Sequence, residues 1–153
     1  MGILSIFGKK DTNNKENLVK QVAPKKESSA GEPQEKEKES KKEDIKIVDG
    51  SGVSKNNLVT ADFMTDFLVS QDTTQNILQT AGEGTLSDRM LYFGKDLKAK
   101  TGTLSDVSAL TGYITSKSGK TYAFDIMIND AKSKMSEKKM LEEYILRVLY
   151  SSY

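Results

Sequence analysis

"KAKTGTLSDVSALTGYITSKSGKTYAFDIMIN", residues 98–129, is the stretch from which the fold can be read. It opens on a lysine, a threonine and a glycine, then enters two β-rich runs, "VSALTGYITS" and "KTYAFDIMIN", around the Gly-containing turn "KSGK". β-Branched and aromatic residues on both sides of such a turn predict a β-hairpin. Tyr122, Phe124, Ile126 and Ile128 recur at every second position and therefore share one face of the second strand. The Lys-Thr-Gly segment reads as the mouth of a further strand. Its residue types suit a carboxylate ligand: Lys100 offers a point positive charge, Thr101 a hydroxyl, and Gly102 a backbone with no Cβ in the way. The strand edge beyond it could pair with an extended peptide.

Composition limits the chemistry. The 153 residues allow one ordinary domain, and a net charge of +1 gives no nucleic-acid footprint. There is no cysteine, which removes disulfides, thiol nucleophiles and thiolate metal sites, and no histidine, which removes the usual general base and the commonest metal ligand. No cofactor and no metal site are expected. No run is apolar enough to span a bilayer. The start, "MGILSIFGKK", is too short and wrongly ordered for a secretory signal, and Ile6 does not fit N-myristoylation. A weak interfacial foot is the alternative to a frayed start.

Residues 1–46 form a charged segment that has little to bury; "EPQEKEKESKKED" contains no apolar residue at all. It is expected to be a disordered tail or tether. Residues 47–153 carry the ordered domain. "LVTADFMTDFLVS" predicts a helix capped by Thr60, with Asp62 in its first turn and Phe63, Met64, Phe67 and Leu68 on its buried face. A shorter helix is expected over 72–80, with Ile77 and Leu78 inward, ended by the glycines of "AGEGTLSDRM". The last helix is expected to be capped by Ser136 and to bury Met140, Leu141, Tyr144, Ile145, Val148 and Leu149. The fold class is α+β: a small antiparallel sheet of about three strands packed with helices.

"DGSGVSKNNLVTADFM" and "AGEGTLSDRM…LKAKTGTLSDVSALTGYITSKSGKTYAFDIMIN" together resemble the C-terminal part of the D-Ala-D-Ala carboxypeptidases of the penicillin-binding-protein-4 type. These belong to the serine penicillin-recognising enzymes, with their Ser-x-x-Lys, Ser-x-Asn and Lys-Thr-Gly motifs. The resemblance covers roughly residues 47–150. It implies a partial penicillin-binding-protein/β-lactamase-like fold. It also implies that Ser54 and Asn56, in "SKN", act with Lys100 in catalysis: the serine passes a proton toward the leaving group, and the asparagine amide holds the substrate's backbone carbonyl. Lys100 and Thr101 would engage the terminal carboxylate of a peptidoglycan stem peptide or β-lactam. Gly102 and Thr103 would line the substrate, with the backbone N–H at Thr103 completing an oxyanion hole. Asn57 stands beside the motif as an alternative to Asn56.

The family's nucleophile and base, the Ser-x-x-Lys pair, should precede Ser-x-Asn. Ser5, Ser28, Ser29 and Ser40 have no lysine three residues on. Ser136 and Lys139 do have this spacing, but after Lys-Thr-Gly, where a helix-cap serine in a Lys-rich turn accounts for it. The chain is therefore expected to be inactive alone, or to work beside a second chain that supplies the N-terminal part. The other readings are a non-catalytic module that binds D-Ala-terminated peptides, and a structural remnant in which Lys100 and Ser54 are surface residues. The family works outside the cytoplasmic membrane; a chain with this start is expected to stay in the cytoplasm.

Overall fold

The computed structural model describes residues 8–9, 45–71 and 73–152; most of the charged segment 1–46 lies outside them. Five antiparallel strands form one sheet in the order β1-β5-β4-β3-β2. They are β1 (Gly8–Lys9), β2 (Gln79–Thr80), β3 (Leu97–Thr103), β4 (Val107–Thr115) and β5 (Thr121–Asn129). The three long strands are those the sequence predicts; two-residue strands border them. Two helices cover the sheet, α1 (Ala61–Ser70) and α2 (Met135–Ser152). The α+β class stands, with a sheet wider at both edges than expected.

The β4–β5 turn closes through Ser116 N–H to Lys120 O at 2.8 Å and Gly119 N–H to Ser116 O at 2.8 Å, with Gly119 at φ +81°. Glycine takes that left-handed conformation without a Cβ clash, so the turn fixes the register. β4 pairs with β5 from Val107↔Asn129 to Thr115↔Thr121. β3 pairs with β4 from Leu97↔Ile114 to Thr103↔Ser108. Opposed residues share a face. One face presents Leu97, Ala99, Leu110, Ile114, Tyr122, Phe124 and Ile126 to α2, where Leu146 and Leu149 join the main core. The other presents Tyr113 and Ala123 to Leu68 of α1, and the Tyr113 hydroxyl donates to Leu68 O at 2.6 Å.

Thr60 caps α1 as expected, its Oγ1 accepting from Phe63 N–H at 3.2 Å. The buried face of α1 is Ala61, Thr65 and Leu68; Phe63 and Phe67 are exposed. Small residues at 61 and 65 let the helix lie close on β5, which turns the two phenylalanines away. The expected helix over 72–80 is replaced by a 3₁₀ turn, Thr74–Asn76, and by β2. Gln79 and Thr80 pair with Ala99 and Lys98, so this segment is drawn into the sheet, leaving Ile77 exposed and Leu78 half-buried against the smaller core.

α2 also departs from its apolar stripe. Met140, Leu141, Tyr144 and Val148 are exposed, and Lys138, Glu142, Leu146 and Leu149 face inward. The polar pair is buried because it has partners. Glu142 accepts from Arg89 at 2.7 Å and from Ser108 Oγ at 2.6 Å, and Lys138 Nζ donates to Asp106 O at 2.6 Å. A buried carboxylate with a cation and a hydroxyl offsets its desolvation. The start of α2 is held by Glu137, whose Oε2 accepts from Lys134 N–H at 2.9 Å, so Ser136 lies within the first turn and is not the cap. Among the described residues no helix is long and apolar enough to cross a membrane.

Gly112 marks the tightest approach of β3 and β4. A Cβ there would lie 2.1 Å from Lys98 O and 2.7 Å from Ala99 Cα. Backbone cannot swing aside as a side-chain tip can. Gly112→Ala is therefore expected to destabilise the domain by about 1–3 kcal/mol. Gly102→Ala, whose Cβ would sit an ordinary 3.4 Å from Ala109 Cβ, should change stability by less than about 0.5 kcal/mol. Urea unfolding of the two variants checks the difference.

Candidate active site

The Ser54 loop is built around one carboxylate. Asp49 Oδ1 accepts from Ser51 N–H at 2.7 Å, Ser51 Oγ at 2.5 Å and Gly52 N–H at 3.2 Å, and its Oδ2 accepts from Ser54 N–H at 3.0 Å. Short local bonds of this kind let an Asp wrap the following backbone around itself. The Ser51 hydroxyl holds the Asp49 carboxyl below the usual carboxylate range, with the backbone N–H groups adding to it. Paired bonds between Lys46 and Leu58, each 2.8 Å, close the base of the loop. Asn57 is consumed within it: its Oδ1 accepts from Val48 and Asp49 N–H at 2.8 and 3.2 Å, and its Nδ2 donates to Asp49 O at 3.0 Å. Asn56 is exposed, and Ser54 is half-buried with its Oγ accepting from Asn56 N–H at 3.2 Å.

Lys55, between the two motif residues, reaches across to the β3–β4 turn. Its Nζ donates to Ser105 Oγ at 2.7 Å and lies 3.7 Å from Asp106 Oδ2. The Ser-x-Asn loop is thus tied to the far end of the Lys-Thr-Gly strand. Between them lies a groove of about 640 Å³, lined by Ser54, Asn57, Thr60, Leu104, Val107 and Met127 among others. Lys100 lies outside that groove, four residues back along β3 from Leu104, or about 13 Å at the usual strand rise.

Along β3, Lys100 is exposed and its Nζ donates to Thr101 O at 2.7 Å. The Thr101 hydroxyl donates to Thr85 Oγ1 at 2.8 Å, and Thr85 Oγ1 donates in turn to Gln79 Oε1 at 2.9 Å. Gly102 and Thr103 are exposed. β2 pairs only with Lys98 and Ala99. Among the described residues the outer edge of β3 is therefore open from Lys100 to Thr103, and open backbone at a sheet rim can accept an added strand.

Two groups that sequence reasoning did not single out belong to the same neighbourhood. Asp49 could have been read from its place ahead of Ser51 and Gly52. Asp125 is a lone charge in the apolar run of β5, 2% exposed. The register sets Lys100 opposite Thr111 and Thr111 opposite Asp125, so the three form a row on the α1 face of the sheet. The Thr111 hydroxyl bonds Asp125 Oδ1, and Oδ2 has no hydrogen-bond partner among the described residues. Burial pushes the Asp125 carboxyl up to about 7.

Comparison with known proteins identifies the family. Residues 12–146 match the D-Ala-D-Ala carboxypeptidase 3 (S13) family, and the chain belongs to it. It is 42% identical over 95 residues to the D-alanyl-D-alanine carboxypeptidase of Actinomadura sp. strain R39, covering 53% of this chain and 18% of that protein. It is 34% identical over 103 residues to carboxypeptidase DacB of Mycolicibacterium smegmatis, covering 56% and 22%. Penicillin binding protein 4 of Haemophilus influenzae, solved with a β-lactam, superposes with a TM-score of 0.59 at 30% identity, over 67% of this chain and 28% of that one. The fold alone is shared with the penicillin-acylated Bd3459 endopeptidase of Bdellovibrio bacteriovorus, solved with an immunity protein (TM-score 0.60, 20% identity, 70% and 34% coverage). The chain spans about a fifth of the relatives it matches in sequence.

The two carboxyls make stability depend on pH with opposite signs. Asp49, held low, contributes order above its unfolded range that is lost as pH falls below about 4. Asp125, held high, keeps a proton in the folded state that the unfolded chain has released between 3.8 and about 7, so its contribution falls as pH rises through that window. Unfolding of Asp125→Asn and wild type at a series of pH values should show the wild type losing on the order of 2–4 kcal/mol relative to the variant between pH ~4 and ~7. Amide exchange at Ser51, Gly52 and Ser54 should accelerate selectively in Asp49→Ala.

Proposed function

We propose that the chain is the peptide-binding, C-terminal part of a serine-type D-alanyl-D-alanine carboxypeptidase acting on peptidoglycan stem peptides. The observation that carries the reading is the tie between the two motifs: the Lys55 bond to Ser105 brings the Ser54–Asn56 loop to the end of the strand that bears Lys100, Thr101, Gly102 and Thr103. The peptide adds to the open edge of β3. Its terminal carboxylate meets the Lys100 ammonium, which gives up its bond to Thr101 O for a charge-assisted one. Thr101 already donates its proton to Thr85, so Lys100 makes the first contact and the threonine hydroxyl turns to the ligand afterwards. Asn56 supplies the amide for the peptide carbonyl, because the Asn57 amide is spent on its own loop. Ser54 Oγ, half-buried at the groove, passes the proton toward the leaving amine.

The attacking serine and its lysine base are not among these motifs; within the 153 residues no Ser-x-x-Lys precedes Ser54. The reading therefore places acyl transfer with a segment outside these 153 residues, and this substrate would put the working assembly outside the cytoplasmic membrane. The runner-up, a module that binds D-Ala-terminated peptides without cleaving them, uses the same cradle.

Labelling with a fluorescent penicillin tests the reading. The isolated chain should form no covalent adduct. Mixed with the Ser-x-x-Lys-bearing N-terminal part of a close relative, it should become labelled, and Lys100→Ala should cut the labelling rate by about 10²–10³-fold. An adduct on the isolated chain overturns the division of labour. Saturable peptide binding with no labelling in any mixture favours the module.

A further inference from the structure

Asp125 is a costly residue to keep where it is. It stands on the α1 face of β5 between Ala123 and Met127, almost fully buried, and among the described residues it has one neutral partner and one oxygen without any. A buried carboxyl without a cation is normally replaced by an apolar side chain or paired, as Glu142 is on the opposite face. Packing alone does not account for it.

The groups that face Asp125 can be named element by element. From β4 come Thr111, which bonds it, and Tyr113, whose hydroxyl is committed to Leu68 O. α1 crosses the same face, with Leu68 at Tyr113 and Ala123 and with Ala61 in the groove beside Met127. Its buried polar residue between those points, Thr65, donates to Ala61 O at 3.0 Å and Asp62 O at 2.9 Å. The α1 acids Asp62 and Asp66 are exposed. β1 meets β5 at Ala123 and Tyr122 through Gly8 and Lys9. From β3 come Lys98 and Lys100, of which Lys100 is in the row of Asp125 itself. Lys55 is engaged at the β3–β4 turn.

We propose that Asp125 is a positioning residue that sets the charge of the Lys100 cradle through the cross-strand row Lys100–Thr111–Asp125. With its proton on, the carboxyl is neutral and Lys100 meets a ligand carboxylate with its full charge. With its proton off, the row carries a compensating negative charge, and the Thr111 hydroxyl bond to Asp125 becomes charge-assisted. Two strand spacings separate Asp125 from Lys100, about 10 Å. At that separation, with an effective dielectric of about 20–40, ionisation should weaken binding of a carboxylate ligand about four- to sixteenfold. The raised position of the Asp125 carboxyl, about 7, puts this change near neutrality. The peptide consequence rests on the carboxylate-cradle reading above; the coupling between the two side chains is a property of this chain alone.

The test follows Asp125 Cγ and Lys100 Nζ by NMR in the full chain from pH ~5 to ~8.5. Both resonances should share one inflection, which disappears from Lys100 in Asp125→Asn and shrinks in Thr111→Val. A Lys100 resonance that stays flat while Asp125 titrates overturns the proposal, as does an Asp125 that does not titrate in the range; both are read in the wild type, so a variant that fails to fold leaves the test intact. In parallel, an acetylated peptide ending in D-Ala-D-Ala should bind about four- to sixteenfold less tightly at the alkaline end in wild type, and independently of pH in Asp125→Asn. Peptide binding that is flat with pH in the wild type also overturns it. Failure of the peptide to bind at any pH removes the cradle reading, and the Lys100 resonance still decides the coupling.

Discussion

The register of β3 against β4 is the constraint on which the rest of the structure depends. Strand side chains alternate, so a slip by one residue would exchange the faces and carry Lys100 and Gly102 to the side where Leu97 and Ala99 now fill the core. Gly112 holds the register in place from below the level of side chains. Only a residue without a Cβ can lie against Lys98 O and Ala99 Cα, so the strand has one comfortable position for it. The Gly119 turn then passes the same register to β5. Two glycines in the hairpin thus place a lysine, a threonine and an aspartate in one line across three strands.

The β3–β4 turn is the second fixed point. Lys138 of α2 donates to Asp106 O from one side, and Lys55 of the Ser54 loop reaches Asp106 and Ser105 from the other. The inward bond comes from a lysine only 2% exposed. The outward pair is exposed, and exposed ion pairs contribute about 0–1 kcal/mol. The strand end is therefore anchored by the helix, while the loop can be moved away from it at small cost. That difference would let the proposed peptide groove open.

The three long strands, the hairpin turn and the Thr60 cap were legible in the sequence because each depends on contacts a few residues apart or on strict alternation. The family was legible for a related reason: its motifs are short and local. The helix faces were not. Hydrophobic spacing locates Met140, Leu141, Tyr144 and Val148 as a stripe, but what α2 meets at its first turns is the polar set of Arg89, Ser108 and Asp106 O, and it turns Lys138 and Glu142 toward them. On α1, the close approach to β5 selects Ala61 and Thr65 over the phenylalanines. The segment 72–80 failed for the same reason, since Gln79 and Thr80 gain backbone partners in the sheet that a short isolated helix cannot supply. For the proposed site, the motif residues stood out as chemistry, and Asp49 could have been read from the Ser51, Gly52 and Ser54 that follow it, whereas Asp125 matters through a partner on β4 that only the folded chain brings to it.

The two faces of the sheet treat a buried carboxyl in opposite ways, and this separates structural from functional use of charge. Under α2, Glu142 is given an arginine and a serine, both oxygens are bonded, and the group serves to fix the helix to β4. Under α1, Asp125 receives a single hydroxyl among the described residues, and one oxygen has no partner among them. A buried carboxylate given a cation and a hydroxyl has its desolvation offset; one given a single neutral partner favours its protonated form. The face that needs only stability has the first kind. The face that opens on Lys100 has the second, where by our proposal a proton gained or lost near neutral pH is felt by an exposed cation in the same row, two strands away.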